Sequence, residues 1–128
     1  MQERNIEQYA EDYMHHDFES VMVKYRRKNV LKSLNKFNPK RILEIGCGSE
    51  SIFNYYNQYD EFTVIEPSPQ FCDIALKSPK CTSKVEIING FLEEKVNLLE
   101  KRYDFIICSC LLHEVKNPLE FLEKIKVL

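Results

Sequence analysis

The sequence predicts an α/β fold, a mostly parallel sheet with helices on both faces. Three observations predict it. From residue 41 onward, short β-branched runs alternate with helical patterns, the arrangement that builds parallel sheets. The run Phe105, Ile106, Ile107 is apolar at every position, as a strand covered on both faces must be. Two of only three glycines, Gly46 and Gly48, stand one residue apart where a strand gives way to a helix. Glycine is needed where φ is positive or where a ligand touches backbone.

The elements follow in order. Phe18, Met22 and Tyr25, then Val30, Leu34 and Phe37, recur at helical spacing. Asn38 and Pro39 stop that helix. Residues 41–45 form a short strand, and residues 51–59 a helix with Ile52, Phe53 and Tyr56 inward. Residues 61–65 form a second strand. Ser68 caps the next helix, with Pro69 at its first position. Phe71, Ile74 and Ala75 give its buried stripe, and Ser78-Pro79 closes it. Residues 85–88 are a third strand, 91–99 a helix and 103–109 a fourth strand. Asn117, Pro118 and Glu120 read as the cap, first and third positions of a last helix. Leu119, Leu122 and Ile125 belong to its apolar face.

The chain has 128 residues, 44% of them hydrophobic and 30% charged, which suits one packed domain. Lys and Arg number 18 against 20 Asp and Glu, a net charge of -2 that excludes a generally basic nucleic-acid binder. No apolar run is long enough to cross a membrane. Residues 1–10 are polar and charged, unlike a signal peptide, so a cytoplasmic location is expected. The five cysteines are odd in number, and no CxxC pair occurs. Reduced thiols and no metal site are expected. Charge is uneven: residues 20–43 carry eight basic and no acidic side chains, and the residues before them are mostly acidic. This reads as solvated helix faces of opposite sign, or as a basic flank that attracts a phosphorylated substrate.

In an open parallel sheet, ligands bind beyond the carboxyl ends of the strands. The unusual residues of the chain fall there. Gly46, Cys47 and Gly48 follow strand one, and Glu66 and Pro67 follow strand two. Asn89, Gly90 and Phe91 follow strand three, and Ser109, Cys110, Leu111, Leu112 and His113 follow strand four. The glycine turn lets a ligand approach backbone at a helix N-terminus. Glu66, twenty residues past Gly46, can accept both hydrogen bonds of a ribose diol. Ser51 stands where a dinucleotide fingerprint has its third glycine, and no Gly-Lys-Ser/Thr ending marks a triphosphate loop.

Taken together, these residues resemble class I S-adenosylmethionine-dependent methyltransferases. Arg41-Ile42-Leu43-Glu44-Ile45-Gly46-Cys47-Gly48 is similar to their motif I, and Glu66 to their acidic residue after strand two. Asn89-Gly90-Phe91-Leu92 sits where that family encloses adenine. Tyr103-Asp104-Phe105-Ile106-Ile107 with Leu111-Leu112-His113-Glu114-Val115 resembles the fourth-strand motif, and Asn117-Pro118 its sequel. The resemblance covers residues 41–128. It implies a Rossmann-like three-layer fold with strand order 3-2-1-4, S-adenosyl-L-methionine as cofactor and a small-molecule acceptor.

The resemblance also implies residue roles. Glu44 orients the loop and the methionine end, and Gly46, Cys47 and Gly48 admit the cofactor close to backbone. Glu66, with Pro67 beside it, holds the ribose. Gly90 and Phe91 border adenine. Ser109 to Leu112, with Leu111 among them, floor the methionine end. His113 is either a general base near the acceptor, since imidazole titrates close to working pH, or a structural or exposed imidazole. The N-terminal segment with Tyr9, Tyr13, His15 and His16 is a lid over the cofactor or an ordinary surface helix.

The chain departs from the family in three ways. Glu50 replaces the third glycine of the loop, either narrowing the pocket or pointing away from it. Phe91 replaces an acidic residue. The sequence ends inside the helix after strand four, where the family sheet usually has seven strands. The expectation is one domain over residues 1–128, incomplete, with an N-terminal helical segment (1–38) and cofactor-binding βα units (39–128). It is the amino-terminal part of a longer protein, or a second copy covers the open fourth-strand edge in a homodimer. Two rival readings are a non-catalytic cofactor- or partner-binding module and an NAD-dependent oxidoreductase. The missing third glycine disfavours the second.

Overall fold

The computed structural model describes residues 17–99, 102–108 and 116–128. Helix α1 (Asp17–Phe37) leads into strand β1 (Arg41–Ile45). Asn38 ends the helix in the left-handed region, at φ 50°, with its N–H on the Leu34 carbonyl. Strand β2 (Glu61–Glu66), helix α2 (Pro69–Lys77) and strand β3 (Val85–Asn89) follow. A single helical turn, α3 (Leu92–Lys95), continues as a 3-10 turn (Val96–Leu98). Strand β4 (Phe105–Ile107) and helix α4 (Pro118–Lys126) complete the described chain.

The four strands form one parallel sheet in the order β3-β2-β1-β4, as expected. Alternation along β1 and β2 divides the core. Ile42, Phe62 and Val64 face one side and pack with Leu34 of α1 and with Phe71 and Ala75 of α2. Leu43, Ile45 and Ile65 face the other and meet Leu92 and Phe121 of α3 and α4. The period of two also puts Glu44 and Glu66 on the α1 side, at the carboxyl ends of adjacent strands. Asp104 fixes the opposite end of the sheet, its Oδ2 accepting the N–H groups of Lys40 and Arg41, 3.0 Å each.

Several expectations are corrected. Residues 51–59 do not form a helix: Ile52–Asn54 is a 3-10 turn capped by Ser51, and the rest is irregular. Of the residues in this segment only Gln58 is a strong helix former. Its aromatic rings instead pack on β2, with Phe53 and Tyr59 at 5.8 and 5.2 Å from the Phe62 ring. Ile74 is exposed, and Cys72 takes its place in the buried stripe of α2. Leu119 and Leu122 are exposed as well. Phe121 and Ile125 carry the inward face of α4. On α1, Tyr25 and Phe37 face solvent, and the packed side is Val30, Leu31 and Leu34.

Candidate functional site

The loop after β1 turns on two glycines, Gly46 at φ 79° and Gly48 at φ 65°. A side chain at either position would strain that backbone. The Gly46 N–H still bonds the Ile65 carbonyl at 2.8 Å, so the loop leaves the sheet only after it. Beyond that point two buried carboxylates replace the missing ladder. Glu44 Oε1 accepts the Ser51 hydroxyl and, at 3.2 Å, the Ile52 N–H. Glu66 Oε1 accepts the Gly48 N–H at 3.1 Å, and its Oε2 the Ser68 N–H at 2.7 Å.

Glu66 also ties the rim to the third strand. Its carbonyl accepts the Gly90 N–H at 3.0 Å and the Asn89 amide at 2.9 Å. The same amide reaches the Pro67 carbonyl at 3.1 Å. Gly46, Cys47, Gly48, Glu66, Pro67 and Gly90 therefore share one rim, in which Gly48 and Gly90 are hydrogen-bonded to Glu66, Gly46 to Ile65 and Pro67 to Asn89. At Gly90 a Cβ would meet the Lys95 stem at 2.6 Å, so that side chain occupies the space glycine leaves open. Phe91 caps α3 half-buried, and its carbonyl accepts the N–H groups of Glu94 and Lys95. Ser109, Leu111 and His113 lie outside the described residues, as do Tyr9, Tyr13, His15 and His16.

Charge at this rim is unfavourable to the protein alone. Burial pushes the Glu44 carboxyl up to about 7, against hydrogen bonds from Ser51 and Ile52 that lower it. Burial raises Glu66 as well, opposed by bonds from Ser68, Gly48 and Cys47. The Cys47 thiol is buried, donates to the Gly48 carbonyl, and is raised well above its ordinary range by burial and by both glutamates. It is a filler here and not a nucleophile. Among the described residues, no group of three or more His, Cys, Asp or Glu side chains is placed to hold a metal ion.

A carboxylate offers about four acceptor positions. The backbone N–H groups of Gly48 and Ser68 use one on each Glu66 oxygen. Cys47 bonds the same carboxylate, which stands at the end of β2 as an acceptor group of the kind that suits the hydroxyls of a vicinal diol. The glycine loop beside it admits a ligand close to backbone.

The sequence did not reveal the part played by Ser51 and Asn89. Ser51 spends its side chain on Glu44 of β1, and Asn89 its own on the Glu66 and Pro67 carbonyls after β2, pairings across the sheet end that leave no periodic signal. Nor did it settle Glu50. The Glu50 carboxylate points toward α1, where its Oε2 lies 3.5 Å from Arg27 Nη1 and accepts the Tyr55 hydroxyl. It does not narrow the loop.

A parallel 3-2-1-4 sheet with a glycine loop and strand-end carboxylate defines a Rossmann-like α/β domain. A family model described as a methyltransferase domain matches residues 13–128, and the chain belongs to that family. It is 26% identical over 88 residues to thiol S-methyltransferase TMT1B of Mus musculus, covering 66% of this chain and 36% of that protein. It is 29% identical over 106 residues to the mitochondrial ubiquinone biosynthesis O-methyltransferase of Schizosaccharomyces pombe, covering 76% and 38%. The chain thus spans less than two-fifths of the length of these curated relatives. The N-methyltransferase NodS of Bradyrhizobium japonicum, solved with S-adenosyl-L-homocysteine, shares the fold. Its TM-score is 0.70 at 19% identity, over 96% of this chain and 65% of that one.

Proposed function

We propose that this chain is the cofactor-binding part of an S-adenosyl-L-methionine-dependent methyltransferase with a small-molecule acceptor. The observation that carries the reading is Glu66. Its carboxylate, buried at the end of β2, holds the glycine loop through the Gly48 N–H and the start of α2 through the Ser68 N–H. When bound, the cofactor supplies an electrophilic methyl group on a sulfonium, and direct displacement by the acceptor depends on alignment. Glu66, with Pro67 beside it, grips the ribose diol. Gly46, Cys47 and Gly48 leave the backbone open to the nucleoside, and Glu44 shapes the loop at the methionine end. Gly90 and Phe91 border the base; of the residues outside those described, Ser109 and Leu111 contribute to cofactor binding, and His113 is the base for an acceptor that must lose a proton.

Residues 39–128 supply these βα units, and residues 1–38 the helical segment that flanks them. The names of the curated relatives, a thiol and a ubiquinone-pathway methyltransferase, support a small acceptor over a nucleic acid. No described helix is long and apolar enough to cross a membrane. The cytoplasm, where the described free cysteines stay reduced, is the proposed location. A second copy is proposed at the outer edge of β4, beside the groove lined by Val30, Ser33 and Phe105.

Calorimetry tests the reading. The protein should bind S-adenosylhomocysteine, and Glu66→Ala should abolish that binding. Binding of NAD in its place would refute the proposal.

A further inference from the structure

We propose that Arg27, Glu50 and Tyr55 form a latch that couples helix α1 to the glycine loop, so that the loop's ligand-ready shape and the seating of α1 rise and fall together. The cluster is closed on itself. One oxygen, Glu50 Oε2, lies 3.5 Å from Arg27 Nη1 and accepts the Tyr55 hydroxyl. The Arg27 guanidinium lies over the Tyr55 ring, 4.0 Å from its centroid, a stacked cation geometry. The bond to Glu50 raises the Tyr55 pKa, as an anion accepting from a phenol must.

The position of Glu50 in the chain gives the latch its meaning. Glu50 immediately precedes Ser51, whose hydroxyl is bonded inward to Glu44. The end of the loop is therefore held from two sides, by the sheet through Ser51 and by α1 through Glu50. Arg27 lies seven residues before Leu34, the buried anchor of α1 on the core. That is about 10 Å along a helix, so the latch grips α1 well away from its hydrophobic anchor. The Arg27 and Glu50 side chains are 21% and 49% exposed, so solvent screening keeps the pairing modest. A glycine at position 50 would leave α1 and the loop unconnected here. By linkage, a ligand that orders the loop must also tighten α1, and a seated α1 must favour that ligand.

The functional side of the latch rests on reading the loop as a cofactor cradle, and the test separates the two. Cys47 sits between the loop glycines and is buried. Iodoacetamide labelling of Cys47, resolved from the other thiols by peptide mass spectrometry, reports loop opening with no ligand present. Arg27→Ala, Glu50→Ala and Tyr55→Phe should each speed Cys47 labelling by about three- to five-fold. The Arg27→Ala/Glu50→Ala double variant should be no faster than either single one. Lys32→Ala, an exposed helix control, should change nothing.

The dissociation constant for S-adenosylhomocysteine should weaken by the same factor in each latch variant, with Arg27→Lys intermediate. Unchanged Cys47 labelling in the single variants, or multiplied effects in the double one, overturns the latch. Faster labelling with unchanged affinity overturns its coupling to the cofactor. Faster labelling in a protein that binds no S-adenosylhomocysteine upholds the latch and overturns the cofactor reading.

Discussion

Replacing Glu44 by glutamine isolates the cost of a buried charge in the site. Glu44 Oε1 accepts from the Ser51 hydroxyl and the Ile52 N–H, and an amide oxygen can accept the same two bonds. The variant therefore removes the charge and keeps the contacts. Burial has lifted the carboxyl from its ordinary 4.5 to about 7, and linkage fixes the sign. Well below 4.5 the group is protonated in folded and unfolded chains alike and has no effect on stability. Between 4.5 and about 7 the folded chain keeps a proton that the unfolded chain has lost, so stability falls as pH rises. At about 1.4 kcal/mol per pH unit, the whole window is worth about 3 kcal/mol. The new amide NH2 replaces Oε2, and the cost of housing it is the same at every pH. The decisive quantity is thus the change in the difference. Relative to wild type, Glu44→Gln should gain about 3 kcal/mol of stability between about pH 4 and about pH 8. Urea unfolding followed by circular dichroism across that range measures it. A stability difference that stays flat with pH would refute the reasoning.

Glu66→Gln offers one acceptor where two backbone N–H groups, from Gly48 and Ser68, now bond. The orphaned donor should cost about 1–3 kcal/mol in urea unfolding, and calorimetry should show S-adenosylhomocysteine affinity lowered at least about ten-fold. Phe62→Ala empties the space against Phe53 and Tyr59 and should destabilise by about 3–5 kcal/mol, read from the urea midpoint. Asp104 is held below its ordinary range by the N–H groups of Lys40 and Arg41. Its charge therefore stabilises the fold above the ordinary aspartate range, and that benefit is lost as pH falls through the lowered value. Asp104→Asn should melt below wild type at neutral pH in calorimetric scans, with the gap closing in acid.

The strands were legible because burial on both faces writes a nearly continuous apolar run. Burial of the whole of Ile42–Ile45 and of Phe62–Ile65 leaves little room for another reading. The glycine rim was legible because glycine is scarce in this chain and the strand-end rule says where to look. Helical faces were less so. In α4 the spacing allows an arc through Leu119 and Leu122 or one through Phe121 and Ile125, and only the position of the sheet selects the second. Residues 51–59 failed for a related reason, since their rings gain more from Phe62 than their backbone would from helical bonds. The Arg27–Glu50–Tyr55 cluster joins residues far apart in sequence and follows no period. A reader of the chain can notice Glu50 as a departure and cannot see its partner.

The two glutamates explain one another. A loop that must stay open to a ligand cannot satisfy its N–H groups with a ladder of its own, so acceptors have to come from beneath it. A neutral amide at position 44 could accept the same two bonds without the charge that burial opposes. At position 66 an amide falls short, because two N–H groups already bond its two oxygens. A carboxylate there accepts both N–H groups, and a charged acceptor makes the stronger bond when buried. Burial above all, and the charge of Glu66 to a smaller degree, raises Glu44, which costs stability as pH rises toward neutral. A local conflict of this kind, two buried carboxylates at one end of the sheet, is what is expected where function rather than packing sets the residue.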